Sequence, residues 1–168
     1  MRVGPNRREL LKTLGAVVFG AGAVRAEQFT DLSWTDLIPE GQPLIPPGLQ
    51  NFIQHDGPDM SGQQPASSGM RMDWNGQTVR LPGYIVPIDF SATGVTAFIL
   101  VPFVGACIHV PPPPANQLVF VTAQTPFQVK GLFDAVKVTG VFGVSPVSTH
   151  IAQISYAMAA SSIVPFGA

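Results

Sequence analysis

Charge is scarce in this chain of 168 residues: nine Lys and Arg and ten Asp and Glu make up 11% of it, and the formal net charge is −1. Because no basic surface is available to attract a polyanion, we expect no nucleic-acid partner. Cys107 is the single cysteine, which excludes an internal disulfide. After residue 24 no apolar run approaches the ~20 residues of a membrane-spanning helix. We therefore expect a soluble mature protein without a stable membrane span.

Catalytic motifs are also missing. The sequence contains no G-x-S-x-G, no C-x-x-C, no H-E-x-x-H and no glycine-rich phosphate loop. Cys107 and His109 could form a nucleophilic dyad, but side chains on the same side of one strand rarely face each other well enough for the imidazole to activate the sulfur. We therefore expect a protein that is not an enzyme.

The first 26 residues have the order of an export signal. Arg7 and Arg8 precede an apolar run over 14–24, and Val24-Arg25-Ala26 is typical of a cleavage site. The paired arginines resemble the twin-arginine signal of proteins exported in the folded state. We predict export to the periplasm with cleavage after Ala26.

Glycine and proline are abundant, with 17 of each, and together with Val, Ile, Phe and Thr they favour short strands joined by turns. Strand-like runs lie at 77–90, 95–103, 116–123, 133–144 and 154–164. Five strands with a long, bent first strand resemble an OB-fold barrel, so we predict an all-β, five-stranded barrel over 76–168. A small β-sandwich is the alternative.

Residues 27–75 show little periodicity, and we predict an irregular N-terminal segment ahead of the barrel. Within it, the stretch from Ser33 to Leu37 predicts a short helical turn capped by Ser33.

Cys107 and His109 lie just before four consecutive prolines, Pro111, Pro112, Pro113 and Pro114. Residues two apart in an extended segment project to the same side, so the thiol and the imidazole match half of a tetrahedral zinc site, or part of a copper site. His150 is a further candidate ligand. The prolines favour a rigid polyproline helix beside the site. The alternative is that Cys107 is a small buried apolar residue and His109 a structural histidine.

Several stretches resemble one family: LPGYIVPIDF at 81–90, FILVPFVGACIHVPPPPANQLVFV at 98–121, LSWTDLIPEG upstream, and VTGVFGV and ISYAMAA downstream. They are similar to the bacterial exported family called domain of unknown function 3299. The resemblance implies a periplasmic accessory protein that handles zinc alongside an ABC-type transporter. It implies Cys107 and His109 as candidate ligands.

A non-metal adaptor is the second functional hypothesis. In this interpretation an apolar, proline-rich surface binds another protein, as proline-rich segments often do. The residues of this predicted binding surface are Tyr84, Phe103, Pro111, Pro112, Pro113, Pro114 and Asn116.

Overall fold

The structure is a computed structural model, and it describes residues 28–42, 64–104 and 112–166. Its strands are β1 (Thr30–Asp31), β2 (Thr78–Ser91), β3 (Gly94–Val101), β4 (Val119–Phe127), β5 (Ala135–Ser148) and β6 (Gln153–Pro165). Two short 3-10 helices cover Trp34–Leu37 and Ala115–Gln117. Among these described residues no helix has the length and apolar character needed to cross a membrane.

The five longer strands close into a barrel. Pairing runs β2-β3-β4-β6-β5 and returns from β5 to β2. The pairs are antiparallel except β4 with β6, which is parallel. Counted from β2, the strand order is 1-2-3-5-4, which is the order of the OB fold. The predicted all-β barrel is confirmed, and the alternative of a β-sandwich is excluded because the strands form one continuous ring.

Strand β2 pairs with two neighbouring strands, β3 and β5, because it bends near Gly83. Residues before the bend pair with β5, residues after it pair with β3, and Tyr84 pairs with both Ala135 and Val101. A Cβ at Gly83 would lie 2.8 Å from Leu100 Cγ. The Pro82-Gly83 pair thus lets the strand turn tightly against β3, as the sequence predicted for a bent first strand.

The barrel interior is filled by alternate residues of all five strands. Val79, Leu81 and Ile85 of β2 face residues such as Phe98 and Leu100 of β3. Other fully buried members come from β4, β5 and β6: Val119, Val121, Val136, Val138, Phe142, Tyr156 and Met158. At about 25 cal/mol per Å² of buried apolar surface, this cluster supplies the main driving force for folding.

A second apolar cluster lies on the outer face of β2, β3 and β4. Val86, Ile99 and Val101 alternate with the interior residues and are still buried, with exposures of 3%, 0% and 0%. Leu118 also belongs to this cluster. Continuous apolar runs such as 98–101 are typical of a sheet that is covered on both faces. The outer face of the barrel is therefore not a uniformly solvated surface.

The described part of the N-terminal segment packs against the barrel. Leu32 and Leu37 are members of the interior cluster. The predicted helical turn after Ser33 is confirmed, and the Asp36 carboxylate accepts hydrogen bonds from the Ser33 N–H and hydroxyl, both at 2.7 Å. These two bonds hold the pKa of Asp36 below its usual range. The cleavage site predicted at Ala26 lies outside the described residues.

Tyr156 connects the barrel interior to this segment. Its ring is fully buried and contacts Phe142, with 5.0 Å between the ring centroids. Its hydroxyl donates to the Leu37 carbonyl at 2.9 Å and accepts from the Arg71 N–H at 2.8 Å. One side chain thus fixes two separate N-terminal stretches, 28–42 and 64–77, to the end of the barrel.

Candidate functional site

Two of the three predicted metal ligands, Cys107 and His109, lie outside the described residues, as does Pro111. His150 is exposed in the loop between β5 and β6. Within the described ranges no group of three or more His, Cys, Asp or Glu side chains could hold a metal ion. The zinc site therefore stays a prediction from the sequence.

The expectation of an exposed proline surface is wrong for the described prolines. Pro112, Pro113 and Pro114 are all buried, as is Asn116, which is 2% exposed. Asn116 Nδ2 donates to Ser68 Oγ and to the Gly69 carbonyl, both at 2.9 Å. Its amide therefore binds the chain's own N-terminal segment instead of presenting itself to a partner.

The side chain of Gln64 holds the proline run against the barrel. Its Nε2 donates to the Pro113 carbonyl at 2.8 Å and to the Gln153 carbonyl at 2.7 Å, while its Oε1 accepts from the Gln153 N–H at 2.8 Å. A proline run has no N–H groups, so it can join a sheet edge only through its carbonyls. The Gln64 amide provides the missing donor and links Pro113 to the start of β6.

The other predicted surface residues, Tyr84 and Phe103, do lie on the outside of the barrel. Tyr84 is half-buried, and Phe103 is 48% exposed two residues beyond Val101, the β3 partner of Tyr84. On the other side of Tyr84, Ala135 pairs with it, and the Ala135 carbonyl accepts from the Phe166 N–H at 2.8 Å. We call Phe103, Tyr84, Ala135 and Phe166 the apolar row.

Phe166 extends the apolar row beyond the residues predicted from the sequence. It is 60% exposed, and Val164, on the same face, is 39% exposed. Lys137 pairs with Val164, and its Nζ lies 5.2 Å from the centroid of the Phe166 ring. A cation at this distance is attracted to the face of an aromatic ring. This contact favours an outward position for Phe166, alongside the face that carries Tyr84.

Fold and surface together define a small, closed β-barrel protein of the OB type with an apolar row on its outer face. A family model described as "Protein of unknown function (DUF3299)" matches residues 34–165, and the chain belongs to this family. The family resemblance inferred from 81–90 and 98–121 is thereby confirmed. A comparison with curated proteins finds no match.

Among solved structures, the chain is similar to the crystal structure of a DUF3299 family protein from Pseudomonas aeruginosa PAO1. The two are 39% identical, and the similarity covers 84% of this chain and 98% of the other, with a TM-score of 0.68. The two proteins therefore share the same fold.

Proposed function

We propose that this protein is an exported, non-catalytic adaptor that binds another protein through the apolar row. The observation that carries the proposal is the arrangement of the exposed rings of Phe103 and Phe166 on the two sides of Tyr84. Backbone pairing across β3, β2 and β5 aligns Val101, Tyr84 and Ala135, and the Phe166 N–H donates to the Ala135 carbonyl, so binding would require little ordering of this part of the surface. Aromatic side chains on a preformed surface are typical anchors of protein interfaces.

The composition of the row favours an apolar partner segment. Tyr84, Ala135 and Val164 lie beside the two exposed rings, and Lys137 is the charged side chain that contacts the row. An exposed apolar patch on a chain with only 11% charged residues is a typical protein interaction site. With export as proposed from the paired arginines, the partner is a periplasmic protein, and the exported part of an ABC-type transporter is the candidate implied by the family resemblance.

Position-specific photocrosslinking in cells that express this protein tests the proposal. A photoreactive phenylalanine analogue would replace Phe103, Phe166 or, as a matched control, Phe90, which is 61% exposed near the end of β2, where it pairs with Val95 of β3. We expect positions 103 and 166 to crosslink to the same protein and position 90 not to do so. If all three positions give the same products, or if 103 and 166 share none, the proposal is wrong.

Zinc binding by Cys107 and His109 is the second candidate function, and one described contact favours it. Gln64 holds Pro113, four residues after His109, against Gln153, three residues after His150. In the sequence, the two predicted histidine ligands are therefore only four and three residues away from two residues that one side chain joins. A zinc ion bound by these ligands would need the thiolate form of Cys107.

A zinc titration of the mature protein tests this second candidate. We expect Cys107→Ser and His109→Ala each to weaken zinc binding by about 10-fold or more, as is usual when a partner at a metal site is lost. Because binding displaces the thiol proton, zinc affinity should fall as the pH is lowered. Equal and weak zinc binding by the wild type and both variants would exclude the metal function and leave the adaptor proposal unaffected.

A further inference from the structure

Asn75 and Gly76 lie exposed in the turn that leads into β2, and they are the one Asn-Gly pair in the sequence. Asparagine is a chemically labile residue. In an Asn-Gly pair the main-chain nitrogen of the glycine can attack the side-chain amide of the asparagine, and glycine has no Cβ to hinder the closure of the ring. The turn therefore carries both reacting groups of a spontaneous modification, in a position that water can reach.

Three hydrogen bonds join this turn to β5. The Gly76 N–H donates to the Phe142 carbonyl at 2.7 Å. The Phe142 N–H donates in return to the Gln77 carbonyl at 2.9 Å. The Val144 N–H donates to Asn75 Oδ1, also at 2.9 Å. Both reacting groups, the glycine nitrogen and the asparagine amide, are therefore bound to the same neighbouring strand.

The closed turn does not present these two groups to each other. Ring closure requires the Gly76 nitrogen to lose its proton, and the hydrogen bond to the Phe142 carbonyl stabilises the protonated form. Ring closure also requires the Asn75 amide to rotate towards that nitrogen, whereas the bond from the Val144 N–H holds the amide oxygen on β5. The reaction therefore requires the turn to separate from β5, which is a local opening of the kind that hydrogen exchange detects.

We propose that Asn75 is a deamidation site whose rate is set by the opening of this turn. In the open turn the Gly76 nitrogen forms a bond to Asn75 Cγ, the Cγ–Nδ2 bond breaks, and ammonia leaves with the proton of the Gly76 nitrogen. Water then adds to either carbonyl of the succinimide and gives aspartate or isoaspartate at this position. The site shares no residue with the apolar row or with the predicted zinc ligands, so it is independent of both functions proposed above.

The two products differ in how well the turn can bind β5 again. Aspartate keeps an oxygen that can accept from the Val144 N–H, as Asn75 Oδ1 does. Isoaspartate lengthens the main chain by one carbon atom, which displaces Gly76 from its partner on β5, the Phe142 carbonyl. We therefore expect the isoaspartate product, and not the aspartate product, to leave the turn open.

Incubation of the folded protein beside a synthetic peptide of residues 70–80 tests the proposal. Deamidation at Asn75 would be followed by peptide mapping with mass spectrometry. The opening of the turn would be measured under the same conditions by hydrogen exchange at the Gly76 N–H. Asn116 is the internal control, because it is 2% exposed and is followed by Gln117 instead of a glycine.

Two variants separate the effect of the opening from the effect of the product. Gln77→Ala removes the hydrogen bond from Gln77 Nε2 to the Asp73 carbonyl, which closes the turn from within. It should lower the exchange protection of the Gly76 N–H and speed deamidation by the same factor. Asn75→Asp should keep the protection of the wild type, whereas the isoaspartate form isolated from incubated protein should lose it.

We expect Asn75 to deamidate about 10-fold or more slowly in the folded protein than in the peptide, because three hydrogen bonds must open first. The slowing should equal the exchange protection of the Gly76 N–H, and Asn116 should stay intact. A folded protein that deamidates at Asn75 as fast as the peptide would overturn the proposal. Deamidation that is clearly slower than the opening of the Gly76 N–H allows would overturn it as well.

Discussion

Replacing Gly140 by alanine is expected to lower the free energy of unfolding by about 3 kcal/mol, the upper end of the usual cost of overpacking. A Cβ at this position would lie 2.2 Å from the Ala159 carbonyl oxygen and 2.8 Å from Ala160 Cα. Both atoms are backbone of β6, so no side-chain rotation can relieve the clash. Strands β5 and β6 would have to separate.

The close approach at Gly140 has a cause in the strand register. Thr139 pairs with Ser162 and Gly140 with Ala160, which leaves Ser161 as an extra residue in β6. Such a β-bulge bends its strand and changes the local spacing. The Ser161 hydroxyl donates to the Thr139 carbonyl at 3.2 Å at the same point.

Gly143→Ala is the matched control, because it makes the same change in the same strand. Its new Cβ would meet the Ala157 carbonyl oxygen at 3.8 Å, an ordinary contact. We expect the free energy of unfolding to change by at most about 1 kcal/mol. Alanine restricts the unfolded chain more than glycine does, and this effect stabilises the fold. Denaturant unfolding of both variants measures the difference, and equal stabilities would contradict the register described for β5 and β6.

Tyr156→Phe is expected to destabilise the fold by about 1–3 kcal/mol at neutral pH, because it leaves two backbone groups without their partner. The Leu37 carbonyl loses its donor and the Arg71 N–H loses its acceptor. Tyr84→Phe, on the outer face, should change the stability by no more than about 0.5 kcal/mol. Similar losses for both variants would show that the hydroxyl of Tyr156 does not secure the N-terminal segment.

The buried hydroxyl also predicts that the stability difference between the wild type and Tyr156→Phe depends on pH. Burial raises the pKa of Tyr156 above its usual value of 10.0. In the unfolded chain the phenol ionises near pH 10 while the folded protein still holds its proton, so folding stability falls as the pH rises above that value. The advantage of the wild type over Tyr156→Phe should therefore shrink above about pH 10. A constant difference between pH 7 and pH 11 would contradict a buried, neutral hydroxyl.

The strands of the barrel could be predicted from the sequence because their patterns are local. The apolar residues Val136 and Val138 alternate with outward positions, and the Pro82-Gly83 pair marks the bend of β2. The helical turn could likewise be predicted from Ser33, because serine is a preferred residue at the start of a helix. The parallel pairing of β4 with β6 left no such local pattern, since it joins Val119 to Tyr156 across a long stretch of chain.

The surfaces were harder to predict, because they depend on contacts between residues that are distant in the sequence. The exposed proline stretch was expected from composition, but the burial of Pro112–Pro114 depends on Gln64, which is distant in sequence. Tyr84 and Phe103 were recognised as apolar surface residues, whereas Phe166 was not. Only the pairing of β2 with β5 and the bond from Phe166 to Ala135 bring this ring into the apolar row.

The most direct test of the adaptor function is the affinity of the purified partner identified by crosslinking, measured by calorimetry for the wild type, Phe166→Asp and Phe90→Asp. The two phenylalanines are 60% and 61% exposed, so the charge is introduced at matched positions. We expect Phe166→Asp to weaken binding by about 30-fold or more, as the loss of an interface anchor does, and Phe90→Asp to leave it unchanged. Equal affinities of the two variants would contradict the proposal that the apolar row is the binding surface.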